Sequence, residues 1–82
     1  MLSKGEGIEF HMDCGDSIRV WRICRSGDTR YYTEWGVQGR GTMRKSKSRN
    51  SGNAEKLEED MNTHMGEKIG QGYKQLKTYT AK

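Results

Sequence analysis

The sequence predicts an α+β fold, in which an antiparallel sheet of three or four strands is covered by one amphipathic helix. Two segments in the first half of the chain are rich in β-branched and aromatic residues and are separated by a short turn. Beyond residue 51 the apolar residues instead recur every three or four positions, which is the period of a helix. The length of 82 residues allows a single domain, spanning residues 1–82, with one modest core.

The composition predicts a thin core. Apolar residues make up 30% of the chain and charged residues 32%, a balance that is also typical of disordered chains. Seven aromatic residues and the two patterned regions favour a folded domain.

Two cysteines, Cys14 and Cys24, are too few for a disulfide scaffold and fit a reducing compartment. With no apolar stretch near the ~20 residues that span a bilayer, and no apolar signal-peptide core, we expect a cytoplasmic protein without a membrane partner.

A hairpin forms the centre of the predicted sheet. Its first strand lies in "SIRVWRICR", from Ser17, and its second in "TRYYTEWGV". The short spacing between them favours antiparallel pairing. The loop between the two strands is predicted at Ser26, Gly27 and Asp28.

Two outer strands complete the prediction. After the turn "QGRG", the segment "TMRKSKSR" can form a third strand only if it is exposed on an edge or on one face. Near the N-terminus, "GIEFHM" predicts an additional strand within residues 1–16, because Ile8, Phe10 and Met12 alternate and so share one face.

The helix is predicted from about residue 51, with its apolar face on the sheet. Its apolar stripe consists of Ala54, Leu57, Met61, Met65 and Ile69. Ser51, Gly52 and Asn53 are the candidate N-caps, and Gly70 and Gly72 end the helix.

Positive charge is concentrated in the first part of the chain. Residues 1–50 hold ten Lys or Arg against six Asp or Glu, a net charge of +4, whereas residues 51–82 hold five of each. Within residues 40–49 there are five cations and no acid, namely Arg40, Arg44, Lys45, Lys47 and Arg49. Such cations neutralise phosphates, while nearby aromatic rings offer flat faces to a sugar or an unpaired base. The candidate rings are Tyr31, Tyr32, Trp35 and Tyr73.

Catalytic and metal-binding motifs are not indicated. The zinc-ligand residue types, His11, Cys14, Cys24 and His64, lack the paired close spacing of a zinc site. Nothing in the sequence orients a cysteine and a histidine as nucleophile and base. Neither glycine-rich stretch is followed by the Gly-Lys-Ser/Thr step of a phosphate loop. We therefore expect no enzymatic activity, no metal, no cofactor and no small-molecule substrate.

Residues 17–76 resemble the WGR domain family. The run "YYTEWGVQGRG" places Trp35-Gly36 at the end of a tyrosine-bearing strand, followed by Gly39 and Gly41, as in the family's Trp-Gly-Arg-Val-Gly turn. Ala54 falls at the family's small helix position. In "EKIGQGY", Lys68 precedes Gly72-Tyr73 at the spacing of the family's closing motif.

This resemblance implies a fold and a function. WGR domains are antiparallel sheets with a helix packed across them, and those of DNA-dependent poly(ADP-ribose) polymerases grip DNA near a strand end; bacterial relatives are regulators or occur alone. The resemblance implies that Trp35 packs on a terminal sugar and that positions from Gly39 to Lys47 follow the phosphate backbone. It also implies that Lys68 and Tyr73 hold the fold.

The chain departs from the family at Val37, where the family has arginine, and Arg40 is the nearest candidate to replace that guanidinium. We expect a DNA-binding module for duplex DNA or strand ends. Its predicted contacts are Trp35, Gly39, Arg40, Arg44, Lys45 and Lys47. The alternative is a protein-interaction module that uses Trp35 and Trp21 as interface anchors.

Overall fold

A computed structural model describes residues 2–81 as an α+β domain, which confirms the predicted fold class. The elements are β1 (Glu6–Asp13), β2 (Ile18–Arg25), β3 (Arg30–Val37), β4 (Arg44–Lys45), β5 (Arg49–Asn50), α1 (Ala54–Gln71) and β6 (Lys74–Thr80). All strands belong to one antiparallel sheet in the order β4-β3-β2-β1-β6, with β5 also paired to β3.

The predicted hairpin is formed by β2 and β3, and its loop lies where the sequence placed it. The backbone N–H groups of Ser26 and Gly27 both donate to the carbonyl of Arg30, at 2.9 and 3.3 Å. The guanidinium of Arg25 donates to the carbonyls of Leu2, Gly27 and Asp28. Three charge-assisted hydrogen bonds therefore tie the loop to the N-terminal segment.

The N-terminal strand β1 is an interior strand of the sheet, paired with β2 on one side and β6 on the other. Its predicted alternation is confirmed, because Phe10 is fully buried while Ile8 and Met12 pack against the same cluster. The strand that lies outside the WGR resemblance thus contributes a central part of the core.

The helix begins and ends at predicted residues. Asn53 is the N-cap, with its side-chain oxygen accepting from the Lys56 N–H at 2.8 Å. Gly72, at φ 111°, takes the left-handed conformation that ends α1. Leu57 and Met61 of the predicted stripe are buried, whereas its outer members Ala54 and Ile69 are exposed. Within residues 2–81 no helix is long and apolar enough to cross a bilayer.

The core lies between α1 and one face of the sheet, called the helix face below; the opposite side is called the open face. Paired residues on neighbouring strands share a face, so the pairing of Phe10 with Trp21 puts both on the helix face. Their ring centroids are 5.3 Å apart at a tilt of 57°, which is a favourable aromatic geometry. The buried cluster consists of Phe10, Trp21, Ile23, Tyr31, Leu57, Met61 and Tyr73.

Two features of the sheet correct the sequence prediction. The third strand is not continuous over "TMRKSKSR", because the ladder on β3 is interrupted at Ser46, whose hydroxyl accepts from the Thr33 N–H at 2.9 Å. The short strands β4 and β5 remain on either side. The described residues also contain β6, which was not predicted, so the sheet has six strands rather than three or four.

Candidate nucleic-acid interface

Trp35 is an exposed tryptophan beside a buried one. In the register of the sheet Trp35 is paired with Trp21 of β2 on one side and with Arg44 of β4 on the other, so all three lie on the helix face. Trp21 is 3% exposed because α1 covers it, whereas Trp35 is 40% exposed. The result is an indole open to solvent with a guanidinium on the adjacent strand.

Trp35 borders a groove of about 340 Å³ between β3 and the C-terminal half of α1. Tyr31 and Thr33 of β3 form part of its lining. The charged or ionisable side chains around it are Arg49, His64, Glu67 and Lys68. With Arg44 beside Trp35, three permanent cations and one carboxylate surround this groove, so it favours an anion.

His64 is held in the groove by the core. Its Nε2 lies 3.0 Å from the hydroxyl of Tyr31, and the two rings are 5.6 Å apart. Its Nδ1 lies 3.8 Å from a carboxylate oxygen of Glu67. Because Tyr31 is buried in β3, this contact fixes the position of α1 relative to the groove.

Lys68 contacts the core and the groove at once. Its Nζ lies 5.6 Å from the ring centroid of Trp21 and 5.5 Å from that of Tyr73. A lysine over two rings contributes about 0.5–1 kcal/mol for each exposed contact of this kind. The position agrees with the structural role that the resemblance implied, and it also brings the ammonium into the lining of the groove.

Of the four aromatic residues proposed to stack on a sugar or base, two are buried and one lies on the open face. Tyr31 and Tyr73 are buried in the core, at 4% and 9% exposure. Tyr32 lies on the open face, where the Nζ of Lys45 sits 4.2 Å from its ring centroid. Trp21, the second residue proposed as an interface anchor, is 3% exposed beneath α1. Trp35 is the candidate that solvent reaches.

The basic segment 40–49 does not form one stripe. Arg44 and Arg49 pair with Trp35 and Tyr31 and therefore share the helix face. Lys45 pairs with Glu34 and faces the opposite side. The segment thus wraps around the edge of the sheet, with cations on both faces.

The remaining predicted contacts lie in loops. Gly39 and Gly41, at φ 78° and 63°, form the turn between β3 and β4 in conformations that favour glycine. Arg40 is exposed between them, and its N–H donates to the carbonyl of Val37 at 3.1 Å. Lys47 is exposed between β4 and β5, outside both strands. These side chains extend the cationic edge but do not line the groove.

The open face carries a buried ion pair. Glu9 is 6% exposed, and its carboxylate accepts from the Arg22 Nε at 2.7 Å and contacts the His11 Nε2 at 2.7 Å. Burial raises the pKa of Glu9, but the hydrogen bonds from Arg22 and His11 outweigh this effect and the pKa is lowered overall. The carboxylate is therefore ionised at neutral pH and holds β1 to β2.

The buried cysteine, Cys24, does not resemble a nucleophile. Cys24 is 1% exposed on the open face, and burial raises the pKa of its thiol. A reactive cysteine requires the opposite shift. Within residues 2–81, no group of three or more His, Cys, Asp or Glu side chains is arranged to hold a metal ion.

Comparison with protein families, with characterised proteins and with solved structures finds no match to this chain. The groove beside Trp35 is thus interpreted from its own geometry and charge. Sequence reasoning did not propose Arg49 and His64 as part of the site, and it assigned Lys68 to the fold alone. The packing of α1 against β3 brings His64 and Lys68 to the groove, and the pairing of β5 with β3 brings Arg49 there.

Proposed function

We propose that the chain is a DNA-binding module that holds the sugar-phosphate backbone against the edge formed by β3, β4 and β5. One observation carries the proposal: Trp35 is 40% exposed and is paired with Arg44 at a groove lined by further cations. An aromatic face suits a sugar or an unpaired base, and adjacent cations neutralise the phosphates on either side.

The charge distribution supports the same surface. Arg44 and Arg49 lie on the helix face of the edge, and Arg40 and Lys47 project from the loops beside it. Each phosphate that a cation neutralises releases condensed counterions, and this is a large part of the affinity of non-specific DNA binding. These four cations are the ones that we expect to contact phosphates.

The chain offers no element suited to recognise a specific base sequence among its described residues. The helix α1 packs its apolar side on the sheet, and its first half is acidic, so it is unsuited to enter a DNA groove. The acids are Glu55, Glu58, Glu59 and Asp60. We expect binding with little base preference.

The WGR resemblance adds the expectation of strand-end binding, with one change of residue. Val37 stands where the family has its arginine. Arg44, directly paired with Trp35, is a guanidinium placed to serve the same ring, whereas Arg40 lies in the turn. We therefore assign the role beside Trp35 to Arg44 rather than to Arg40.

The direct test compares DNA forms. Mobility-shift titrations at low salt with blunt, nicked, single-stranded and closed circular duplex DNA measure whether the chain binds and whether ends matter. We expect the chain to bind all four DNA forms, and to bind those with a strand end more tightly than closed circular DNA. Absence of binding to every form would remove the proposal.

A protein partner at Trp35 is the second candidate, because an exposed tryptophan is also a frequent interface anchor. Salt dependence separates the two. Phosphate binding weakens steeply as salt is added, while an apolar interface changes little.

A further inference from the structure

The strand β6 leaves one long edge of the sheet open. Among the strands of residues 2–81 it pairs with β1 alone, whereas the opposite edge, at β3, is covered by β4 and β5. The N–H of Ala81 donates to the carbonyl of Gly5 at 2.6 Å. Since successive residues of a strand aim their backbone groups in opposite directions, Thr80 and Thr78 aim theirs at the open edge. An added strand would find unpaired donors and acceptors there.

A cleft lies on the helix face of the same edge. It has a volume of about 430 Å³ and separates α1 from β1 and β6. Its apolar lining includes Ile8, Met61 and Met65, and Thr78 is its contribution from β6. Methionine side chains adapt to ligands of irregular shape. Because Thr78 is small, a long side chain from a neighbouring strand can pass over it into the cleft.

Charge distinguishes the two faces of this edge. Lys74 and Lys77 of β6 pair with His11 and Glu9 and so lie toward the open face. Neither lysine takes part in an ion pair within residues 2–81. On the helix face the cleft is bordered by the carboxylates of Glu6 and Glu58 and by the guanidinium of Arg25, which is already bound to three backbone carbonyls. The open face therefore attracts acids more strongly than the helix face does.

We propose that β6 and the adjoining cleft bind an extended peptide in which acidic and apolar residues alternate. The peptide adds to the sheet as a further strand, with its acidic side chains toward Lys74 and Lys77 and its apolar side chains in the cleft. Addition to a sheet edge supplies affinity through the backbone, and the alternate side chains supply specificity. A register irregularity in β6 between the partners of Glu9 and Phe10 explains why Lys74 and Lys77, three positions apart, both lie on the open face.

A second copy of this chain fits the edge poorly. Two β6 strands in antiparallel pairing would place the lysines of both on one face, and like charges on neighbouring strands are unfavourable.

The proposed peptide site also lies apart from the surface proposed for DNA. The sheet order places β4 and β6 at opposite edges, about 19 Å apart at the usual strand spacing. Both ligands can bind at once.

The test uses a fluorescein-labelled peptide of about ten residues in which Asp and Leu alternate, titrated with the full chain and followed by anisotropy. A peptide of the same composition, with all Asp residues before all Leu residues, is the sequence control. Two further peptides carry backbone N-methyl groups, one on every Asp residue and the other on every Leu residue. Alternate N–H groups of a strand point to opposite edges, so in only one of these peptides do the methyl groups point at β6. We expect that peptide to lose at least tenfold in affinity and the other to bind like the unmethylated peptide.

Protein variants locate the site. The double substitution K74Q and K77Q should weaken binding about fivefold, as expected for two exposed charge pairs. Met65→Gln, in the cleft, should weaken it further, whereas Ile69→Gln, one turn along α1 and outside the cleft lining, should not. Trp35→Ala should leave peptide binding unchanged, which separates this proposal from the one for DNA.

Three results would overturn the proposal: no binding of the alternating peptide, equal binding of the segregated control, or equal binding of the two methylated peptides. Sedimentation of the free chain gives an independent check. A dimer that K74E and K77E disrupt would assign the edge to a second copy instead.

Discussion

The ring of Tyr79 lies directly against Gly7 on the open face, so closely that a Cβ at Gly7 would come within 2.6 Å of the Tyr79 ring. The guanidinium of Arg22 covers the same ring at 5.3 Å from its centroid. These contacts link β6 to β1 and β2 across the open face.

Gly7→Ala should therefore destabilise the fold. The added methyl group displaces the Tyr79 ring from its place beneath Arg22, and overpacking of this kind costs about 1–3 kcal/mol. Gly66→Ala is the matched control, since a Cβ at this helical position meets nothing within 4 Å and alanine favours a helix over glycine by about 1 kcal/mol. Urea denaturation should show opposite changes in midpoint. Equal destabilisation would mean that the contact with Tyr79 is not tight.

Trp35→Ala should weaken DNA binding by about 10- to 100-fold, the range expected for loss of one stacked ring. Its melting temperature should change little, because Trp35 is half-exposed. Trp21→Ala provides the contrast, since removal of a buried tryptophan costs about 3–5 kcal/mol. Thermal melts and anisotropy titrations measure both properties. A large loss of stability in the Trp35 variant would make this residue part of the core.

Arg44 and Lys45 are adjacent in sequence but face opposite sides of the sheet, so they make a matched pair. Arg44→Gln should reduce the slope of log affinity for DNA against log salt by about one unit. Lys45→Gln should change it less, because its ammonium lies over Tyr32 on the open face. Lys56→Gln, which removes a cation paired with Glu59 and Asp60, should leave the slope unchanged. Equal slopes in all three variants would indicate diffuse attraction to a basic protein.

The ion pair of Glu9 predicts a pH dependence of stability. The pKa of Glu9 is lowered in the folded chain from its usual value of 4.5, so the unfolded chain binds the proton more readily. The stabilisation by Glu9 is complete above pH 4.5 and is lost as the pH falls through the lower, folded pKa. Glu9→Gln should be less stable than the parent at pH 7, and the difference should shrink toward pH 3. Denaturant titrations across this range test it, and a constant difference would contradict it.

The two cysteines should differ sharply in reactivity. Cys14 is exposed in the turn between β1 and β2, whereas Cys24 is buried and burial raises its thiol pKa. A thiol reagent at neutral pH should modify Cys14 rapidly and Cys24 only after unfolding. Mass spectrometry after brief labelling, with and without denaturant, gives the number of modified thiols per chain. Rapid double labelling of the native chain would show that the open face opens readily.

The elements that the sequence predicted well are those with one covered side. In β1, Phe10 is buried and its neighbours alternate, so the pattern with a period of two is visible in the residues. In β6 nearly every side chain is exposed, because α1 does not cover it and, in the part of the chain that the structure describes, no strand lies beyond it. A strand without a buried side leaves no alternation to detect.

The candidate site was predictable only in part for a related reason. Trp35 and the nearby arginines are close in sequence, and the Gly turn between them indicated a hairpin. His64 and Lys68 come close to Trp35 only because of where α1 crosses the sheet. The position of α1 depends in turn on the contacts of His64 with Tyr31 and of Lys68 with Trp21. Residues this far apart in the sequence carry no local signal of such proximity.

The position of β1 between β2 and β6 also constrains how the chain assembles. The hairpin of β2 and β3 can form early, but β1 acquires its second neighbour only when the C-terminal strand arrives from the other end of the sequence. Loop closure over such a separation is slow relative to local pairing. The bond between Ala81 and Gly5 then leaves the start and end of the domain side by side. Circular permutation, with a short linker joining the two ends and a new opening in the Gly39–Gly41 turn, should retain the fold and make that last pairing local.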